Sequence, residues 1–108
     1  MTRAVYIQDS DFNALLTYSD SEPVVVHYTA ARSGSCRVIS PLIDKLAEEY
    51  TGRAKVVKID VDRDKANAKK FNIRSIPAIQ IFKEGEVVET LVGTASYETL
   101  SEALEKHL

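Results

Sequence analysis

The chain has 108 residues, which is enough for one compact domain with a hydrophobic core and too few for two. Its 14 basic and 16 acidic residues give a net charge of -2, and its 44% hydrophobic fraction is ordinary for a globular protein. This balance argues against a polybasic protein, so we expect neither a nucleic-acid partner nor binding to a membrane surface.

Targeting, redox and metal-binding features are sparse. No apolar run approaches the length of a membrane span, and residues 1–9 lack the long apolar region of a signal peptide, so a cytoplasmic location is expected. The chain has one cysteine, so no disulfide can form within it, which suits a reducing compartment. This cysteine and two distant histidines argue against a metal site, and no cofactor is expected.

The first part of the chain predicts a strand, a helix and a second strand. Ala4–Ile7 is a short strand candidate. Asp9 or Ser10 is expected to cap a helix from about residue 11 to Tyr18, because a side-chain oxygen there accepts from the free N–H groups of the first turn. Val24–Thr29 is apolar or β-branched nearly throughout, which predicts a central strand buried on both faces.

A longer helix is predicted from Ser33 to Tyr50. Pro41 lies inside it and should kink it, and Thr51-Gly52 should end it. Apolar side chains recur at helical spacing and are expected to form one inward stripe, namely Val38, Ile39, Leu42, Ile43, Leu46 and Tyr50.

The second half predicts three strands and two helices. These are a strand at Lys55–Val61, a short helix at about Asp64–Phe71, a hairpin of Ala78–Phe82 and Val87–Val92 joined by a turn at Lys83–Glu86, and a last helix from Ser96 as its cap to about His107. In the last helix Leu100, Ala103, Leu104 and Leu108 are expected to face inward.

The predicted order is β-α-β-α-β-α-β-β-α, which implies an α/β fold with a central mixed sheet flanked by helices. Ligands of such sheets usually bind beyond the carboxyl ends of the strands. Cys36 follows the Val24–Thr29 strand and opens the long helix. The only thiol is therefore expected where this architecture places a functional site.

Short motifs along the chain carry a resemblance to a known family. They are Pro23-Val24-Val25-Val26, Gly34, Cys36-Arg37, Pro41, Lys58-Ile59-Asp60-Val61-Asp62, Phe71-Asn72-Ile73-Arg74-Ser75-Ile76-Pro77, Phe82-Lys83-Glu84-Gly85-Glu86 and Val92-Gly93. In this order and spacing the chain resembles the thioredoxin family, which implies one thioredoxin-like domain over residues 1–108. The resemblance implies a cis peptide bond before Pro77, next to the active site, and a backbone at Ile76 that pairs with an extended peptide.

The departures from the family pattern fall on the active site. The family motif is usually W-C-G-P-C-K, whereas this chain has Arg32-Ser33-Gly34-Ser35-Cys36-Arg37. By this resemblance Ser33 stands in place of the nucleophilic cysteine, Cys36 keeps the resolving position, and Arg32 replaces a tryptophan.

Three positions behind the motif are informative, because two of them differ from the family pattern and one matches it. By the same resemblance, Thr29 replaces another tryptophan, His27 replaces a buried aspartate thought to assist proton transfer, and Lys58 is retained. Because His27 lies on a buried strand, we interpret it as a core histidine with satisfied hydrogen bonds whose charged form Lys58 disfavours.

The single cysteine limits the available chemistry. Dithiol exchange needs an attacking thiolate and a second thiol, and a serine hydroxyl cannot form a disulfide. The first hypothesis is therefore a protein that engages client thiols or disulfides through Cys36 alone, with an outside thiol reductant to resolve the mixed disulfide. The expected client site comprises Arg32, Ser33, Gly34, Ser35, Ile76, Pro77 and Gly93, with His27 and Lys58 behind it.

Several alternatives stay open. The S-x-x-C pattern after an arginine also resembles bacterial chaperedoxins, which form mixed disulfides with clients but carry a helical-repeat domain that these residues do not contain. In a second alternative, Cys36 is an inert core thiol and Ser33 is a helix cap. The protein would then be a non-redox module that binds peptides. Ser33 as an engineered replacement of cysteine is the third reading. Enzymatic activity is left open, and a monomer is expected, with a Cys36-linked dimer as the alternative.

Overall fold

The computed structural model describes residues 4–18 and 22–108. Within them lie five strands and four helices: β1 (Val5–Tyr6), α1 (Asp9–Tyr18), β2 (Val24–Thr29), α2 (Gly34–Glu49), β3 (Lys55–Asp60), α3 (Ala66–Lys70), β4 (Ala78–Lys83), β5 (Glu86–Val92) and α4 (Tyr97–Glu105). This order confirms the predicted one.

The five strands form one mixed sheet in the order β1-β3-β2-β4-β5. Strands β1 and β2 run parallel to β3, whereas β4 is antiparallel to both β2 and β5. All six residues of β2 are buried, because β3 and β4 flank the strand and helices cover both faces. The predicted α/β class and the central position of Val24–Thr29 are confirmed.

The sheet separates two hydrophobic clusters, since successive side chains of a strand point to opposite faces. One cluster joins Val25 of β2 to α2 and α4, and its members include Ile39, Ile43, Leu46, Leu100 and Leu104. The other joins Val26 and Tyr28 of β2 to α1 and α3, and its members include Phe12, Ile59, Ala68 and Phe82.

Helix α1 begins two residues earlier than its predicted start at about residue 11. Its first residue is Asp9, so the prediction that Asp9 or Ser10 caps α1 is wrong. The N–H of Phe12 donates to the carbonyl of Gln8 at 3.0 Å, which makes Gln8 the residue that precedes the helix.

The carboxylate of Asp9 serves α3 instead. It accepts from the N–H of Ala66 at 2.9 Å and from the N–H of Asn67 at 3.3 Å. These two N–H groups belong to the first turn of α3, whose own preceding residue, Lys65, makes no capping bond. A cap supplied by a distant segment leaves no local sequence pattern, which is why the sequence assigned it to the wrong helix.

Two predicted core positions face solvent. Val38 is 68% exposed and Leu108 is 45% exposed, so the expectation that both face inward is wrong. Val38 lies beside the buried stripe of α2 and projects past its edge. Leu108 follows the end of α4 at Glu105, so the helical periodicity no longer determines its direction.

Most other boundaries agree within two residues, and the hairpin turn is explained by its backbone. Glu84 and Gly85 have φ angles of 54° and 82°, the two positive values that a tight type I′ hairpin requires. The turn is therefore shorter than predicted, and Lys83 and Glu86 pair as strand residues.

Helix α2 continues through Pro41 to Glu49. No helix in the described ranges is long and apolar enough to cross a membrane.

Candidate functional site

Ser33 organises the start of α2 at the carboxyl end of the central strand. Its backbone is extended, and its Oγ accepts from the N–H of Cys36 at 3.2 Å. Its own N–H donates to the carbonyl of Ala30 at 3.1 Å, which closes the turn that leaves β2. The interpretation of Ser33 as a helix cap is therefore confirmed.

Cys36 lies in the first turn of α2 and points inward. It is 1% exposed, whereas its neighbours Gly34, Ser35 and Arg37 are exposed. The thiol is therefore shielded from solvent in this conformation. Exchange at Cys36 requires the residues around it to move.

A second segment lies next to this turn. Strand β4 begins at Ala78, which pairs with Tyr28 near the end of β2, so the preceding Ile76–Pro77 segment lies beside the loop that leads to Ser33. The peptide bond between Ile76 and Pro77 is cis, as the family resemblance implies.

Gly93 is held against the same segment. Its N–H donates to the carbonyl of Pro77 at 2.8 Å, and its φ of 89° lies in the region that favours glycine. Within the described residues, the N–H and carbonyl of the half-buried Ile76 have no backbone hydrogen-bond partner. The structure therefore brings Ile76, Pro77 and Gly93 together at a backbone edge with pairing capacity.

The two arginines around the motif are both engaged. Nε of Arg32 donates to both carboxylate oxygens of Asp62, at 3.1 and 2.9 Å, and these hydrogen bonds raise the pKa of Arg32. Nη1 of Arg37 donates to the carbonyl of Ala31 at 2.8 Å. No sequence pattern indicated Asp62 as the partner of Arg32, because the pair joins loops that follow different strands.

A polar cluster surrounds Lys58 behind the site. Its Nζ donates to Oγ of Ser40 at 2.6 Å and lies 3.2 Å from Oδ1 of Asp44. The same Asp44 oxygen accepts from the N–H of Ala4 at 3.2 Å. Sequence reasoning retained Lys58 but missed Ser40 and Asp44. Their spacing could have identified them. Cys36, Ser40 and Asp44 recur every four residues and therefore share one helix face.

His27 lies in β2 directly opposite Lys58 of β3. It is 0% exposed, and among the described residues neither ring nitrogen has a hydrogen-bond partner. The expectation of a satisfied core histidine is therefore wrong, because its partner across the sheet, Lys58, bonds to Ser40 and Asp44 instead. Burial first, and then the charge of Lys58, lower the pKa of His27 to about 4, against an opposing effect of Asp44. The ring is neutral at pH 7.

The described residues contain no group of three or more histidine, cysteine, aspartate or glutamate side chains placed to hold a metal ion. The groups that the site offers are one buried thiol, the Ile76 backbone, which has no backbone partner among the described residues, and the cluster around Lys58.

Comparisons with known proteins agree over nearly the whole chain. Residues 3–106 match the protein-family model described as Thioredoxin. Thioredoxin 1 of Nostoc sp. is 42% identical over 108 residues, covering 100% of both chains. A chloroplastic M-type thioredoxin of Pisum sativum is 40% identical over 102 residues, covering 94% of this chain and 59% of that relative. The crystal structure of the reduced thioredoxin pre-protein of Schistosoma mansoni is 33% identical, with a TM-score of 0.89 over 99% of this chain and 100% of the other.

Proposed function

Because this chain belongs to the thioredoxin family, we propose that it binds protein clients and engages their thiols or disulfides through Cys36 alone. The client groove, as we define it, is formed by residues 32–36, Ile76–Pro77 and Gly93. The observation that carries the proposal is the position of the chain's only thiol, in the first turn of α2 beside the Ile76–Pro77 segment.

The groove offers a means of holding an extended client. The N–H and carbonyl of Ile76, which have no backbone partner in the described ranges, are able to pair with the backbone of a client segment, in the manner of strand addition. Backbone pairing tolerates many client sequences, and side chains beside the groove then set the preference among clients.

The proposed covalent step conserves electrons. The Cys36 thiolate attacks one sulfur of a client disulfide, a Cys36–client S–S bond forms, the client S–S bond breaks, and the released client thiolate takes up a proton. The mixed disulfide therefore has the same oxidation level as the client disulfide that it replaces. The chain holds no second thiol, so an outside thiol must attack that bond to release Cys36.

A disulfide-reduction assay tests the proposal. With insulin and dithiothreitol we expect no turnover above the dithiothreitol background, because Ser33 cannot act as the second thiol. With a disulfide-bonded peptide and no reductant, non-reducing gels should show an adduct that is absent in Cys36→Ser. Catalytic turnover comparable to that of a dithiol thioredoxin would contradict the proposal.

Burial of Cys36 favours a second candidate, a non-redox module that binds peptides in the same groove. In this case Cys36→Ser binds an extended cysteine-free peptide as tightly as the unchanged protein, and no disulfide adduct forms. An adduct that requires Cys36 separates the monothiol function from this one.

The Ser33→Cys variant addresses the third reading, a disulfide oxidoreductase whose first cysteine has been replaced. Restored insulin reduction would show that the rest of the site still supports dithiol turnover. Continued inactivity would indicate that Arg32, Thr29 and His27 have also changed the site. In this proposal the protein is a monomer in the reducing cytoplasm. A small thiol or a thiol protein is the reductant that releases Cys36. The proposal includes a protective role for clients like that of the chaperedoxins.

A further inference from the structure

Positive charge is concentrated in one short segment. Residues 63–74 contain five of the 14 basic residues but one of the 16 acidic residues, so the segment carries a net charge of +4 and the rest of the chain carries -6. The basic residues are Arg63, Lys65, Lys69, Lys70 and Arg74.

Three of these cations border an open cavity of about 380 Å³, here called the basic concavity. Its cationic rim comprises Lys65, Lys69 and Arg74, and its floor includes the apolar Val61, Ala68 and Ile73. An apolar floor with a cationic rim is suited to a peptide that combines apolar and acidic side chains.

The rim cations are not neutralised within the described part of the chain, where none of the three has a carboxylate at ion-pair distance. Nε of Arg74 donates to Oδ1 of Asn72 at 3.2 Å, and this neutral partner positions the guanidinium without cancelling its charge. Arg32 contrasts with these three residues, because Asp62 already pairs with it.

Two short chain segments connect the basic concavity to the client groove. Val61 on its floor precedes Asp62, which holds Arg32 at the edge of the groove. Arg74 on its rim lies two residues before Ile76 in the chain. A client segment paired with Ile76 therefore reaches the concavity if it extends past the Arg32 side of the groove.

We propose that the basic concavity binds an acidic stretch of the client segment held in the groove, so that this protein prefers clients with carboxylates next to the attacked site. The inference rests on the proposed client groove. The net charge of -6 outside residues 63–74 favours a short acidic peptide over nucleic acid or an anionic membrane, because a long polyanion extends beyond the patch and meets repulsion.

Two cysteine-free peptides test the preference. They share one extended apolar segment, followed by a run of glutamate in one and of glutamine in the other. In fluorescence anisotropy at low salt, we expect the acidic peptide to bind roughly three- to tenfold more tightly, as for a few exposed charge pairs. The difference should disappear near about 1 M salt, where the screening length is about 3 Å.

Two double variants localise the effect. In Lys65→Glu/Lys69→Glu the acidic peptide should lose its advantage, while binding of the glutamine peptide stays unchanged. The matched control Lys70→Glu/Lys106→Glu has the same net charge and leaves the rim of the concavity intact, so it should retain the preference. Loss of the preference in both variants would assign it to net charge and overturn the proposal.

The remaining outcomes separate this inference from the proposed function. Equal binding of the two peptides by the unchanged protein leaves the client groove in place and overturns the role of the basic concavity. Binding of neither peptide overturns both. Tighter binding of a thymidine oligonucleotide or of phosphatidylserine vesicles than of the acidic peptide, lost in Lys65→Glu/Lys69→Glu, overturns the assignment to acidic clients.

Discussion

At the scale of single residues, Ser33 and Cys36 act on the same turn of helix. The Ser33 hydroxyl accepts from the Cys36 N–H, and the Cys36 side chain contributes to the interior at 1% exposure. The Ser33 cap thus stabilises the helical turn that holds the only thiol of the chain. Reactivity of Cys36 should depend on how often this turn opens.

Alkylation of native Cys36 should therefore be slow. We expect iodoacetamide to modify it at least about a hundredfold more slowly than in urea-unfolded protein, because the turn must open first. Ser33→Ala should speed the reaction about fivefold, since loss of a serine cap weakens the first turn by about 1 kcal/mol. Mass spectrometry of timed samples measures both rates.

Ser96→Ala provides the matched control for this experiment. Ser96 caps α4 through the N–H of Thr99 at 3.1 Å, so its loss weakens a different helix by a similar amount. The alkylation rate of Cys36 should not change in this variant. Equal acceleration in both variants would indicate global unfolding instead of local opening.

His27 should make stability depend on pH. Its pKa in the folded protein is about 4, below the ordinary value of 6.5. Above pH 6.5 the His27 ring is neutral in both the folded and the unfolded protein, so its ionisation does not lower the free energy of unfolding there. As the pH falls from 6.5 to 4, the unfolded chain binds the proton first, so the free energy of unfolding should decrease by up to about 3 kcal/mol.

Urea unfolding at a series of pH values measures this decrease. The His27→Leu variant removes the titrating ring and should flatten the dependence in that range. An unchanged slope in His27→Leu would assign the effect to other groups.

The sequence predicted part of this residue-level picture. Serine before a helix predicts a cap, and a histidine in an apolar strand predicts burial, because both depend on local pattern. Two features depend on which side chains the fold brings together: His27 has no hydrogen-bond partner among the described residues, and Arg32 pairs with Asp62. No local pattern specifies these contacts.

At the scale of elements, α1 and α3 depend on each other. α3 has five residues, too few to be stable alone, and the Asp9 carboxylate at the start of α1 supplies its missing cap. The Asn67 side chain also donates to the carbonyl of Asp9 at 3.2 Å. These contacts position α3, whose residues Ala68 and Lys69 line the basic concavity.

Asp9→Ala should therefore destabilise the protein by about 1–2 kcal/mol, as expected for the loss of a capping carboxylate. Asp11→Ala is the matched control, because Asp11 makes a single weak contact with the N–H of Gln8 at 3.5 Å. Hydrogen exchange should show faster exchange at Ala66 and Asn67 in Asp9→Ala only. Equal effects of the two variants would contradict the cross-helix cap.

A substitution in the turn between β4 and β5 should stabilise the protein. Glu84 has a φ of 54°, a conformation that asparagine adopts more readily than glutamate. Glu84→Asn should raise the free energy of unfolding by about 0.5 kcal/mol. Glu86→Asn, in the adjacent strand, should give no gain, and thermal unfolding distinguishes the two variants.

Periodic elements were predictable because periodicity is a property of the chain itself. The six-residue apolar run of β2 and the stripe of α2 indicated a strand and a helix before any contact was known. The exposed positions of Val38 and Leu108 were missed because they lie at the edge of a stripe and beyond a helix end. Exposure there depends on which neighbouring element covers the position.

At the scale of the whole molecule, the sheet is stabilised from both sides by separate clusters. On the α1 side, Phe12 contacts Phe82 and Phe71 edge to face, with ring centroids 5.1 and 6.2 Å apart. Phe12 is fully buried, so it links the first helix to a central strand and to the segment after α3.

Phe12→Ala should cost about 3–5 kcal/mol, the usual range for removing a buried aromatic ring. That is a large share of the 5–15 kcal/mol typical of a domain, so partial unfolding near 37 °C is expected. Val38→Ala, at a position 68% exposed, should change stability by about 0.5 kcal/mol or less. Urea denaturation at 25 °C measures both variants.

The uneven distribution of charge has a physical consequence for encounters in solution. A molecule with +4 on one short segment and -6 elsewhere has a permanent electric dipole despite its small net charge. An approaching anion exerts a torque that turns this segment, and the adjoining groove, toward it before contact. Collision frequency with acidic partners should therefore depend on ionic strength more steeply than a net charge of -2 suggests.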